Sequence, residues 1–122
     1  MDEAELAALD YCYVTTIGRR SGSPHTIEIW FALRDDRVFL LSGGADRSDW
    51  VKNLGEHPTV GLRIGDREMI ATAAPVIDPE EGELARRLLV EKYQPRYADD
   101  LSEWGRTALV IVIELPEPAA GE

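Results

Sequence analysis

The stretch His25-Thr26-Ile27-Glu28-Ile29-Trp30-Phe31-Ala32-Leu33-Arg34-Asp35-Asp36-Arg37-Val38-Phe39-Leu40-Leu41-Ser42 decides the fold. From His25 to Leu33 the residues alternate, with Ile27, Ile29, Phe31 and Leu33 on one face. Thr26, Glu28, Trp30 and Ala32 share the other. A period of two belongs to a strand, and the first set reads as core. Glu28 and Trp30 then face a groove or a partner. Arg34-Asp35-Asp36-Arg37 is a polar hairpin turn, and Arg37 to Ser42 returns as the next strand.

The same grammar extends in both directions. Tyr11 to Ile17 is rich in aromatic and β-branched residues and reads as a strand. Thr59 to Ile64 and Arg67 to Ile77 pair across Gly65-Asp66. Thr107 to Leu115 is almost continuously apolar, the mark of a strand buried on both faces. Helical signals are fewer. Asp2 to Asp10 is a short lead-in. Ser48 or Asp49 caps a short helix carrying Trp50, Val51 and Leu54, which His57-Pro58 ends. Asp78-Pro79-Glu80-Glu81 starts a helix that runs to about Tyr93, with Leu84, Ala85, Leu88 and Leu89 as its buried stripe. Tyr97 to Trp104 reads as another short helix. About six mostly antiparallel strands with two to four helices, joined by successive hairpins, predict a mainly β (α+β) chain whose sheet closes into a small barrel. One domain over 1–122 is expected, with 1–10 as lead-in and a frayed tail over 116–122.

The net charge of −10 in 122 residues argues against sequence-independent nucleic-acid binding and against docking on anionic lipid. Arg19, Arg20, Arg47, Lys52 and Arg63 all lie in the first two thirds, so a local positive pocket on an acidic chain remains open. The single cysteine, Cys12, sits in an apolar run and reads as a small core residue. No run approaches the roughly 18 apolar residues that span a bilayer, and a cytoplasmic protein is expected.

Two loops carry the chemistry. Gly18-Arg19-Arg20-Ser21-Gly22-Ser23-Pro24-His25 follows the first strand. Its amides can converge on phosphate oxygens, and Arg19 offers a planar fork. A strand follows it, and no Gly-Lys-Ser/Thr ends it, so it is not a Walker loop. The plain alternative is a solvated hairpin. Ser42-Gly43-Gly44-Ala45-Asp46-Arg47-Ser48-Asp49-Trp50 follows the third strand. Two glycines let a flat ligand approach the backbone, and the Ser42 hydroxyl can bond a ring oxygen. The alternative is a flexible connector. Trp50 and Asn53 share a helix face and suit a planar heterocycle, or Trp50 is a core anchor. Tyr93, Tyr97 and Trp104 either close a pocket over a flat substrate or form a satellite cluster. His25 and His57 make no metal set, and no metal is expected. His57 reads as a helix-end residue, while His25 can face a phosphate.

Several of these segments, taken in order, resemble a known family. Thr15 to Pro24, Trp30-Phe31, Leu41 to Gly44, Trp50 to Leu54 and His57 to Val60 resemble the deazaflavin-dependent nitroreductases of the flavin/deazaflavin oxidoreductase superfamily. The likeness covers Tyr11 to about Leu115. It implies a split β-barrel of the FMN-binding type and the deazaflavin coenzyme F420, with FMN as the alternative. It implies that Arg19, Arg20, Ser21 and Gly22 hold the coenzyme phosphate, with His25 at the edge. Glu28 and Trp30 would line the groove, Ser42, Gly43 and Gly44 would contact the ring, and Trp50 and Asn53 would close that side. Tyr93, Tyr97 and Trp104 would lie near the substrate. The implied reaction is hydride delivery to a small electron-poor acceptor, a quinone or an enone, with Tyr97 or solvent as proton source. A homodimer is the implied assembly. The Ser42-Gly43-Gly44 loop lacks a lysine that some relatives carry, and Leu101 stands where the pattern has a further tyrosine. Reduction of nitro compounds is therefore not carried over. A non-catalytic protein that binds the coenzyme or an apolar ligand is the remaining alternative, as is a plain interaction domain.

Overall fold

A computed structural model describes residues 1–116. The expected fraying of 116–122 falls, beyond Pro116, outside the described residues. Seven strands form one sheet among the described residues: β1 (Cys12–Ile17), β2 (Pro24–Ile29), β3 (Ala32–Arg34), β4 (Arg37–Ser42), β5 (Thr59–Ile64), β6 (Arg67–Pro75) and β7 (Leu109–Glu114). Four helices accompany them: α1 (Glu3–Ala7), α2 (Asp49–Glu56), α3 (Pro79–Tyr93) and α4 (Ser102–Thr107). The strand order is β2-β1-β5-β6-β7-β4-β3, and every neighbouring pair is antiparallel.

That order explains how the sheet curls. Its two edges, β2 and β3, are consecutive in the chain and separated only by Trp30-Phe31. Two residues cannot span a flat seven-stranded sheet, whose neighbouring strands lie about 4.8 Å apart. The sheet must bend round until its edges nearly meet. The single strand expected over His25 to Leu33 is therefore two, broken at Trp30-Phe31.

Two apolar clusters hold this shape. Inside the curl lie Cys12, Val14, Phe31, Val38, Leu40, Leu62, Ile64, Ile111 and Ile113, closed at one end by Leu6 of α1 and at another by Val51 and Leu54 of α2. Outside it, Ala32, Phe39, Leu41, Val110 and Val112 pack beneath Ala85, Leu89 and Tyr93 of α3 and beside Leu101 and Ala108. β4 and β7 thus bury both faces, as the apolar run in β7 predicts. Ala32, expected on the groove side with Trp30, instead lies under α3.

Two further boundaries move. β6 stops at Pro75, where its pairing with β7 ends at Ile111, and Ile77 is 93% exposed. The last helix begins at Ser102 and not at Tyr97. The Gln94 side chain donates to the Asp99 carbonyl and accepts from the Leu101 N–H, both at 2.8 Å, taking backbone groups that a helix there would use. Asp100 then accepts from the Ser102 N–H and hydroxyl. At α1 and α3 the caps are as the residue types demand: Asp2 with Glu5 forms a capping box, and Asp78 accepts from the Glu81 N–H ahead of Pro79.

Candidate functional site

A cleft of about 590 Å³ opens between the β1–β2 loop and α2. Thr16, Gly18, Arg19, Arg20, Ser21, His25, Thr26, Ile27, Asp49, Trp50 and Asn53 line it. The loop folds on itself before it meets a ligand. The Gly18 N–H donates to the Ser23 carbonyl, Gly22 donates to Gly18, and the Ser23 N–H donates to Ser21 Oγ. Gly22 has φ +72°, a left-handed conformation that favours glycine. A Cβ on Gly18 would sit 2.5 Å from Ser21 Oγ and 3.0 Å from His25 Nε2. The missing side chain is thus what lets a hydroxyl and an imidazole crowd the loop.

Asn53 ties this loop to α2. It is 4% exposed, and its Oδ1 accepts from the Arg19 backbone N–H at 3.1 Å and from Arg19 Nη1 at 2.9 Å. Its Nδ2 donates to Thr16 Oγ1 at 3.2 Å. Arg19 Nη2 lies 3.4 Å from Asp49 Oδ1. The guanidinium is held in place before any ligand arrives, which spares the ordering cost of a long side chain. Arg20 and His25 are exposed at the same mouth.

The second loop reaches the cleft through α2. Ser42 is 3% exposed, and its hydroxyl lies 3.0 Å from both the Ala45 carbonyl and Ser48 Oγ. That hydroxyl pins the loop internally. Gly43 and Gly44 are exposed, and a Cβ on Gly43 would come 3.8 Å from the Trp104 indole. Beyond Gly43 stands an aromatic group. Trp30 stacks on Tyr93 with centroids 4.3 Å apart and planes 5° apart, and meets Tyr97 and Trp104 edge-on at 5.4 and 5.6 Å.

Of the residues singled out in the sequence, Arg19, Arg20, Ser21, His25, Trp50 and Asn53 line one cleft, while Trp30, Tyr97 and Trp104 form an aromatic group that Gly43 adjoins. Gly22 turns the first loop and Gly44 lies exposed in the second, both outside the cleft lining, and three others stand otherwise. Glu28 lies outside the cleft lining and accepts a 2.7 Å hydrogen bond from the Tyr13 hydroxyl on the outward face of β1 and β2, which raises the Tyr13 pKa. Ser42 is spent within its loop. Tyr93, expected near substrate, is 1% exposed, so its ring offers no face to a ligand. Thr16 and Asp49 were missed as site residues. Asp49 was legible only as a cap, and Thr16 only as one step in the alternation of β1. Burial pushes the Cys12 thiol up to about 12, in keeping with a core residue.

A sheet curled into a half-barrel, with a cleft rimmed by a cationic, hydroxyl-rich loop, has the architecture of a split-barrel protein. A family model described as F420H(2)-dependent quinone reductase matches residues 3–116, and the chain belongs to that family. It is an F420-dependent oxidoreductase that passes a hydride to a small electron-poor acceptor. Solved structures show the same fold. A conserved hypothetical protein from Mycobacterium tuberculosis superposes with TM-score 0.72 at 24% identity, covering 97% of this chain and 82% of that one. An F420-H2-dependent reductase gives 0.70 at 23%, covering 86% and 94%. A chain described as a domain-swapped dimer gives 0.70 at 24%, covering 86% and 80%. A search of curated proteins returns no match.

The donor set fits this coenzyme. Arg19 and Arg20 bring cations, and Ser21 and His25 polar side chains, to one cleft, the chemistry that suits a phosphate. Gly43 and Gly44 are exposed, with no side chain to stand over their backbone. A cleft of this volume is within the usual range for small-molecule sites, roughly 300–1,000 Å³. Among the described residues, no helix is long and apolar enough to cross a membrane.

Proposed function

We propose that the cleft between the Gly18–Gly22 loop and α2 holds the F420 phosphate, and that the coenzyme ring lies over Gly43 and Gly44 towards Trp30, Tyr97 and Trp104. The observation that carries this reading is the anchoring of Arg19 by Asn53, which fixes a cationic fork at the cleft mouth. Arg19 and Arg20 neutralise the phosphate, Ser21 and His25 add donors, and Trp50 walls the cleft. When bound in reduced form, the coenzyme supplies the hydride that reduces the acceptor, for which the reading names quinones and enones. Trp30 and Trp104 orient a planar acceptor and keep water from it. Tyr97, 46% exposed at the edge of this group, gives the proton that completes the reduction, with solvent as the other source.

The reading carries a cytoplasmic location and a homodimer with it. The outward face of β1, β5 and β6 supports the dimer, because Ile70 stands 68% exposed there beside Gly61. Sedimentation measures that state directly.

The deciding experiment is a fluorescence titration of the protein with F420, run beside FMN, on wild type and Arg19→Ala. Saturable binding of F420 in preference to FMN is expected. Arg19→Ala weakens it by about 1.5–3 kcal/mol, the scale of a hydrogen bond to a charged group. Equal affinity in the variant removes the loop from the site, and a preference for FMN moves the chemistry to the flavin.

A further inference from the structure

The break at Trp30-Phe31 leaves the Phe31 peptide groups outside the sheet ladder, although Phe31 is wholly buried. α3 answers for them. The Tyr93 hydroxyl accepts from the Phe31 N–H at 2.9 Å and offers its one proton to the Asp10 carbonyl at 2.8 Å or the Phe31 carbonyl at 3.1 Å. Lys92 Nζ donates to that Phe31 carbonyl at 2.9 Å and lies 3.8 Å from the centre of the Phe31 ring. The same tyrosine acts on the neighbouring residue through its ring, which stacks on the Trp30 indole at 4.3 Å and 5°. One side chain therefore fixes both the backbone of the break and the plane of the indole that the break turns out of the strand.

We infer that Tyr93, assisted by Lys92, is a positioning residue for the reaction: it latches the Trp30-Phe31 break and so sets the angle at which Trp30 meets an acceptor beside Tyr97 and Trp104. The inference rests on the reading of Trp30 as part of the ring end of the site. Tyr93 is enclosed and touches neither coenzyme nor acceptor, so its effect passes through Trp30. An ordinary core tyrosine would support stability and nothing else. The latch differs because loss of the hydroxyl alone leaves a buried N–H without a partner next to the indole.

Tyr93→Phe keeps the stacked ring and removes the hydroxyl. In the unliganded, nitrogen-15-labelled protein, the Trp30 indole N–H resonance, assigned with Trp30→Phe, shifts while that of Trp50 stays. With 2-methyl-1,4-naphthoquinone as acceptor, KM rises by about threefold to tenfold and kcat holds within about twofold, the pattern of lost acceptor binding. F420 affinity also holds within about twofold, because the phosphate loop is set by Asn53 and not by α3. Lys92→Met gives a smaller shift of the same resonance and carries the test if Tyr93→Phe does not fold. The inference is overturned by an unmoved Trp30 resonance, by a loss of stability with KM unchanged, or by a fall in kcat at fixed KM, which would put the phenol at the reacting atoms. Failure of wild type to bind F420 overturns the functional reading instead, and leaves the resonance test of the latch standing.

Discussion

Replacing Asn53 separates two tasks of the Gly18–Gly22 loop, holding itself together and, in the proposed function, holding an anion. Asn53→Ala removes three hydrogen bonds: two from Arg19 to Oδ1 and one from Nδ2 to Thr16. The bond from the guanidinium involves a charge and contributes about 1.5–3 kcal/mol, and the two neutral ones about 0.5–1.5 kcal/mol each. The three share one side chain and are not additive, and water can reach the freed guanidinium, so a loss of about 2–4 kcal/mol is expected. Asn53→Asp has nearly the same shape. Its carboxylate still accepts both Arg19 bonds, and the Thr16 hydroxyl turns from accepting to donating. This variant therefore unfolds closer to wild type than Asn53→Ala does. The new charge offsets Arg19, however, and should weaken F420 binding by about tenfold, or about 1.4 kcal/mol. Urea unfolding read by circular dichroism gives the first quantity and a fluorescence titration the second. A wild-type midpoint for Asn53→Ala would refute the reasoning. So would an Asn53→Asp protein that binds F420 as tightly as wild type.

Three other outcomes follow from the structure. Gly105→Ala places a Cβ 2.4 Å from Val90 Cγ2, so α4 must move off α3 and stability falls by about 1–3 kcal/mol, read as a lower urea midpoint. Burial holds the Lys92 ammonium down to about 8, against 10.5 in an unfolded chain, so between those values the unfolded state binds more protons and stability rises with pH. Unfolding curves at pH 7.5 and pH 10 should show wild type gaining on Lys92→Met on the order of 1–2 kcal/mol, with screening at this half-buried site allowed for; no change in the difference would refute it. Cys12, buried and with its pKa pushed up to about 12, should react with a thiol reagent at pH 8 only after denaturant is added.

The strands were legible because each carries its own period. β4, β5 and the hairpin to β6 need no distant partner to be read, and the double burial of β7 is written in its unbroken apolar run. The loop that lines the cleft was legible for the same local reason: glycines, a serine and two arginines lie within five residues, Gly18 to Gly22. Asn53 was read, from its spacing to Trp50 and the family likeness, as closing the ring side, yet it bonds Arg19, which lies 34 residues away in the chain. No window on the sequence contains both. The same distance hid what Tyr93 does, since its partners Phe31 and Asp10 are 62 and 83 residues away.

The break at Trp30-Phe31 shows why local period misleads at a closure. Along His25 to Leu33 every residue type favours a continuous strand, and in a flat sheet it would be one. Closure demands that the chain leave one edge and join the other within two residues, and that demand comes from the order of the other five strands. The cost is a pair of buried peptide groups with no ladder to join. α3 meets it with a hydroxyl and an amine at the one point along the helix where both reach Phe31. A bend imposed by topology thus turns Trp30 out of the sheet and against Tyr93, and the residue that departs from the strand pattern becomes the centre of the aromatic group with Tyr97 and Trp104.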